Sequence, residues 1–418
     1  MRGLAGVGGM SLVDLLRLRS VAATTAAHKS PKSVIMVYLN GGPSHIDMYD
    51  MKPDAPIEYR GEFSPIETNV SGIEISEYFP LQAQIADKFT IVRNMQFKQQ
   101  GHTAPELYSG FLKGDRPAIG SVISKLRSDA NLHSALPPNI YMGDENHVGR
   151  AGFLGKSHEA FIPDSRTANL KLSNGMTVDR VTDRRQLLNA FDNLRRDVDD
   201  ARGSLASVDT FTDQAIAMVT ADQARDAFDI SQEPESIRAK YGKGTEYLKA
   251  RRLVEAGVPI VCITPRNHNV PPGGNTEWDH HNHVFSCLRG ILPQHDRSVY
   301  ALITDLYERG LDKNVCVIIW GEMGRTPRIG TQSGTTAGRD HWPQSGFAIF
   351  AGGGLKMGQV IGATDRRGEL PASEPYTPQN ALATLYHVLG IDPATTLADL
   401  RGRPNYLLDD RRTIKELL

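Results

Sequence analysis

Short runs of β-branched and apolar residues, each soon closed by Gly, Asn, Pro or a polar residue, constrain this chain more than any other feature. They are Ser33 to Leu39, Phe89 to Val92, Ile140 to Met142, Pro259 to Thr264, Val315 to Trp320 and Phe347 to Ala351. The first reads Ser-Val-Ile-Met-Val-Tyr-Leu, apolar at odd and even positions alike, so the strand it predicts needs cover on both faces. Helical patterns at Ile119 to Leu126, Glu246 to Ala256, Phe285 to Arg309 and Gln379 to Leu389 fall between or after the runs, and Gly310 ends the third. This alternation predicts an α/β fold with a doubly wound, mostly parallel sheet. In such sheets ligands bind beyond the carboxyl ends of the strands, which directs attention to the loops that follow the runs.

One stretch interrupts the alternation. From residue 164 to 243 the sequence is polar and helix-prone, and Arg184 to Arg202 (Leu187, Leu188, Phe191, Leu194) and Thr210 to Phe228 carry apolar residues at three- and four-residue spacing. It reads as a helical insertion over the sheet within one domain spanning residues 31 to 418. Residues 1 to 30 read as an N-terminal arm or a shortened export signal: Arg2, a small and apolar run to Leu12, then Leu15, Leu16, Leu18 and an Ala-rich stretch, without a twin arginine.

Composition removes several classes of function. Lys and Arg (47) nearly cancel Asp and Glu (48), leaving a net charge of -1, so there is no basic field for nucleic acid. No window reaches the ~20 apolar residues of a membrane span. Cys262, Cys287 and Cys316 have no C-x-x-C spacing and read as small buried hydrophobes, not as a disulfide framework or a zinc knuckle.

The loops after the runs carry the candidate chemistry. Asn40-Gly41-Gly42-Pro43-Ser44-His45-Ile46-Asp47 follows the first strand, and its glycines permit a sharp turn that exposes His45 and Asp47 as metal ligands or as supports for ligands. Adjacency argues against a Ser-His-x-Asp triad, because neighbouring residues do not easily place hydroxyl, imidazole and carboxylate in a line of hydrogen bonds. Gly101-His102-Thr103-Ala104-Pro105-Glu106 predicts a helix start, with Thr103 and Glu106 as a capping box and Pro105 in the first turn. Thr103 there is either only a cap or a nucleophile beside His102 at an anion-binding helix N-terminus. Trp278-Asp279-His280-His281-Asn282-His283 offers Asp279 with His281 or His283 for a metal or a phosphate-like anion, and spacing does not decide which histidine points inward. Glu322 follows the strand Val315 to Trp320; Arg325 with Thr326, and Arg339, are candidates to hold an anion, and His341 is a further ligand candidate. All three tryptophans sit in these last clusters.

Together these residues resemble a known family. The run V-Y-L-N-G-G-P-S-H-I-D-M-Y-D-M-K-P-D-A-P, the later I-V-R-N-M, W-D-H-H, E-R-G-L, W-G-E-M-G-R-T-P, G-R-D-H-W, and A-G-G-G with G-A-T-D are similar to the domain-of-unknown-function family fifteen-oh-one, from about Lys32 to the C-terminus. That family is placed in the alkaline phosphatase and sulfatase superfamily and is abundant in exported bacterial proteins. The resemblance implies an alkaline phosphatase-like α/β/α sandwich that hydrolyses phosphate or sulfate esters, small-molecule or glycan, with divalent metal: zinc, calcium, magnesium and manganese are not distinguished. It implies metal ligation by Asp279, by His281 or His283, by Glu322 and by His341, and a periplasmic or secreted location, the alternative being cytoplasmic. The chain also departs from the pattern. No C-x-P-x-R or C-x-S-x-R surrounds any cysteine, so the formylglycine nucleophile of typical sulfatases is absent, and Asn40-Gly41-Gly42 replaces the aspartates that end the first strand. Either His45 and Asp47 substitute as ligands or one of two metal sites is lost. The alternative is a non-catalytic binding or assembly protein with the same fold.

Overall fold

The computed structural model describes residues 32–102, 104–127, 136–163, 222–267, 269–330 and 336–418. Its centre is a seven-stranded sheet, built from β1 (Ser33–Tyr38), β2 (Phe89–Met95), β3 (Asn139–Met142), β4 (Ile260–Ile263), β5 (Val315–Trp320), β6 (Gly346–Gly352) and β7 (Gln359–Ile361), in the order β7-β2-β6-β5-β1-β4-β3. Strand β1 pairs in parallel with β4 and β5, β3 with β4, and β7 with β2. Only β6 runs antiparallel, to both β2 and β5.

The two-faced apolarity of β1 explains the layers. Ile35, Val37 and Leu39 pack into one core with α2 (Thr245–Glu255) and α3 (Val284–Glu308), through residues such as Leu248, Leu253, Leu288 and Leu292. Val34, Met36 and Tyr38 pack into the other with α1 (Ile119–Leu126) and α4 (Pro378–Val388), through Val122, Ile123, Leu382 and Leu385. The result is the α/β/α sandwich that the resemblance implies. Helix α3 ends as expected, with Gly310 in the left-handed conformation (φ 67°) just past its last turn. Helix α4 starts at Pro378, and the Thr377 backbone N–H donates to Asn380 Oδ1 (2.8 Å).

The fold corrects one local expectation. The helix after His102 runs Pro105–Ser109 with Ala104, one residue past Thr103, as its cap residue. The buried Glu106 carboxylate accepts from the Lys98 and Gln99 backbone N–H groups (2.9 Å each). The insertion retains helices at Asp222–Phe228 and Glu235–Tyr241, while Arg184 to Arg202 and Thr210 to Ala221 lie outside the described residues. The three cysteines are free and buried. No helix among the described residues is long and apolar enough to cross a membrane.

Candidate metal centre

Strand direction brings the clusters together. The loops after β1, β2, β4 and β5 all leave from the same edge of the sheet because those strands are parallel. His341 precedes β6, and β6 is antiparallel, so its start lies at that edge as well. The His341–Trp342 segment forms a two-stranded ribbon with Gly324–Arg325, which fixes the loop after β5 beside it.

Close backbone approach shapes the floor of the site. Gly41 (φ 109°) has no room for a Cβ, which would meet Asp279 N at 2.6 Å, and the Trp278 N–H donates to the Asn40 carbonyl (2.8 Å). A Cβ at Gly338 would overlap the His281 carbonyl, so Arg339 N can reach His280 O (3.0 Å). These two glycines let the first loop approach the backbone at Trp278 and Asp279 and the loop before β6 approach it at His281 and Asn282.

There, His102, Asp279, His281 and His341 bring one side-chain atom each within 4.8 Å of one another. His102 Nε2 lies 3.1 Å from Asp279 Oδ2, His281 Nε2 lies 3.0 Å from Asp279 Oδ1 and 3.1 Å from His341 Nε2, and His341 Nε2 lies 3.4 Å from Asp279 Oδ1. The outer nitrogens are all engaged. His102 Nδ1 meets Glu322 Oε1 (3.1 Å), His281 Nδ1 meets Asp340 Oδ1 (2.7 Å), and His341 Nδ1 meets the Gln100 carbonyl (2.8 Å). Each acceptor fixes a proton on Nδ1 and turns Nε2 inward, the arrangement that second-shell partners give to metal-bound histidines. Three inward ring nitrogens converge with a carboxylate that also meets Arg325, so the donor set fits a divalent cation that takes nitrogen and oxygen ligands.

Electrostatics agree with that fit. Hydrogen bonds to Asp279 and Glu322 raise the pKa of His102 to about 9. Burial alone would raise the Asp279 carboxyl, but hydrogen bonds from His102 and His341 and the Arg325 charge outweigh it and hold the group well below the usual carboxylate range. The side chains remain between 19% (Asp279) and 32% (His102) exposed, so the centre is open to solvent.

The other sequence candidates have different surroundings. Glu322, fully buried, does not join the cluster; it accepts from Gly41 N (3.0 Å) and backs His102. His283 is the left-handed residue (φ 51°) that precedes α3 and lies outside the cluster, so His281 is the partner that pairs with Asp279. His280 is buried, its Nε2 has no hydrogen-bond partner, and burial together with Arg325 lowers its pKa to about 4. His45 is fully buried with Nε2 on the Gly368 carbonyl (2.8 Å), and burial lowers its pKa. Asp47 is clamped by Arg339 through Nε to Oδ2 (2.7 Å) and Nη2 to Oδ1 (2.9 Å), and Ser44 Oγ donates to it as well (2.6 Å). His45 and Asp47 therefore do not form a second ligand set with the cluster.

Neither arginine is placed to hold a substrate anion. Arg325 donates to the carbonyls of Gly42 (2.9 Å), Arg339 (3.0 Å) and Gly41 and pairs with Asp279. Arg339 donates to Asp47 and to the carbonyls of Thr326, Pro327 and Tyr59. Thr103 lies outside the described residues. The residue that sequence reasoning passed over is Asp340, although it stands next to His341 in Gly-Arg-Asp-His-Trp; the Gln100 carbonyl gives no sequence signal at all.

A family model described as "Protein of unknown function (DUF1501)" matches residues 31–418. The chain belongs to that family. Comparison with curated proteins finds no match. Among solved structures, the fold is similar to Ps i-CgsB (10% identity, 87% of this chain and 72% of that one, TM-score 0.41). It is also similar to the PsFucS1 sulfatase from Pseudoalteromonas sp. (13%, 90% and 70%, 0.37) and to a protein in the alkaline phosphatase superfamily from Vibrio parahaemolyticus (12%, 88% and 68%, 0.36). At these identities and TM-scores the likeness bears on no individual residue of the centre.

Proposed function

We propose that this protein is a metal-dependent hydrolase of phosphate or sulfate esters, with one divalent ion held by His102, Asp279, His281 and His341. The observation that carries the reading is the set of three imidazoles, each fixed from outside by an acceptor, with their inner nitrogens and one carboxylate converging. A bound divalent ion supplies a Lewis acid and lowers the pKa of a bound water. The chain's residues have separate tasks around it. Glu322 and Asp340 orient His102 and His281, and Arg325 ties Asp279 to the Gly41–Gly42 turn while keeping its carboxylate ionised. Water or Thr103 is the attacking group. The substrate is a small-molecule or glycan ester, and the location is periplasmic or secreted, as the family resemblance implies.

One observation favours a second reading, a protein that binds the ion without turning over esters. Arg325 and Arg339, the two buried arginines of the loops around the cluster, spend their donors on carbonyls and carboxylates. Elemental analysis of the purified protein, combined with turnover of an aryl phosphate and an aryl sulfate, separates the two. One ion per chain with turnover supports the hydrolase. One ion without turnover of either ester in zinc, manganese, magnesium or calcium supports the binding protein, and the absence of a tightly bound ion would sink both.

Metal uptake is expected to weaken in acid. The carboxylates of Asp279 and Glu322 keep His102 protonated up to about 9 in the metal-free centre. That proton must leave before Nε2 can ligate an ion, so apparent affinity falls roughly tenfold per pH unit below that value. Competition titration with zinc at several pH values checks this. An affinity independent of pH would remove His102 from the ligand set.

A further inference from the structure

A cleft of about 680 Å³ lies between the Met51–Pro56 segment and residues Thr364 to Arg367, and the ester-hydrolase reading leaves it without a role. One wall is a hairpin. Asp365 N donates to Leu370 O (2.8 Å), Ala372 N to Ala363 O (2.8 Å), and Gly368 N closes the tip onto Asp365 O (3.1 Å). Arg366 and Arg367 are the two central residues of that tip, and both are exposed. Asp365 does not neutralise them, because its oxygens accept from the backbone N–H groups of Arg367 (3.0 Å), Glu369 (2.9 Å) and Leu370 (3.1 Å).

The local charges are arranged so that the arginines remain available. On the other wall, Lys52 pairs with buried Asp50 (2.9 Å), which also meets Thr364 Oγ1 and Arg93 (3.6 Å), so that carboxylate is already matched. Asp54 on the lip is exposed to water. The Arg367 guanidinium lies over the Tyr59 ring, 5.1 Å from its centroid. Stacking fixes the guanidinium plane and leaves its N–H edges for a planar pair of oxygens. The hairpin is also tied to the loops around the proposed centre: Gly368 O meets His45 Nε2 (2.8 Å) in the first loop, and Glu369 O accepts from Trp342 Nε1 (2.6 Å) and Ser345 Oγ (3.0 Å), with Trp342 directly after His341.

We propose that this cleft is an anion subsite, in which Arg366 and Arg367 hold a sulfate or phosphate group carried elsewhere on an extended polyanionic substrate of the metal centre. Its role as a substrate subsite rests on the hydrolase reading; its capacity to bind does not. The test is calorimetric titration of the full chain with a heparin hexasaccharide and, separately, with short inorganic polyphosphate, at low and high salt. Binding to at least one probe is expected, weakened by salt. Arg366→Ala/Arg367→Ala should lose at least tenfold in affinity, and Arg367→Lys several-fold, because lysine keeps the charge but not the fork. Circular dichroism and unchanged metal content show that the variants are folded. Preference for the hexasaccharide assigns sulfated sugar and preference for polyphosphate assigns a phosphate chain. Failure to bind either probe at low salt, an unchanged double variant, or Arg367→Lys equal to the parent overturns the proposal. Binding that follows the arginines in a protein without ester turnover leaves the subsite standing and removes the hydrolase reading alone.

Discussion

His341→Ala is expected to take bound divalent metal from one ion per chain to none while the protein stays folded. The side chain is 25% exposed and belongs to a short ribbon, not to either core, so its loss opens no large cavity. Its Nε2 faces Asp279 Oδ1 and His281 Nε2, and removing it would leave an ion at the proposed centre with three protein donors. Glu322→Gln is a milder probe of the same centre. Glutamine keeps the shape but cannot hold the His102 Nδ1–H with a full charge, and losses of such outer partners cost about 10 to 100-fold in metal affinity. His45→Ala supplies the contrast, because His45 bonds the Gly368 carbonyl and is not among the clustered ligand atoms; its metal content should remain at one ion. Elemental analysis after exhaustive dialysis reads all three. Retention of one ion by His341→Ala would exclude His341 as a ligand, and loss by His45→Ala would mean that the ligand set lies deeper, against the first loop.

The layers of the fold were legible because β1 is apolar on both faces and the helices carry clear ends. Val315–Trp320 and Ile119–Leu126 have the boundaries that pattern alone predicts, and α3 stops where Gly310 says it must. Strand β7 was not legible, since Gln359–Ile361 is a three-residue edge strand paired only with β2. Nor does an apolar run carry direction, and the antiparallel setting of β6 is what delivers His341 to the centre. The same limit governs the site. Asp279 and His281 are close in sequence and were found together, but His102 reads as a catalytic candidate because only the course of β2 brings it to them. Arg325 and Arg339 read as anion holders because burial is a tertiary property: a guanidinium that cross-ties loops and one that meets substrate look alike in sequence.

Arg339→Ala is expected to be the most damaging single substitution near the centre, and for a structural reason. Arg339 and Asp47 are both fully buried, and the pair is bidentate. Alanine leaves the Asp47 carboxylate with Ser44 Oγ as its remaining side-chain donor and strips the Thr326, Pro327 and Tyr59 carbonyls of theirs. Breaking a buried pair from one side costs about 3 to 5 kcal/mol, a large share of the roughly 5 to 15 kcal/mol that holds a typical domain. Asp47→Asn combined with Arg339→Met should recover part of the loss and not all of it, because the double change removes the uncompensated charge but leaves the three carbonyls unpaired. Urea unfolding of the metal-free proteins measures the difference; a cost under about 1 kcal/mol for Arg339→Ala would show that the pair is not a tie. The consequence reaches the proposed centre. Arg339 bonds the first loop through its side chain and His280 through its backbone, and it stands two residues before His341, so the tie that stabilises the fold also sets the spacing between the proposed ligands on either side of it.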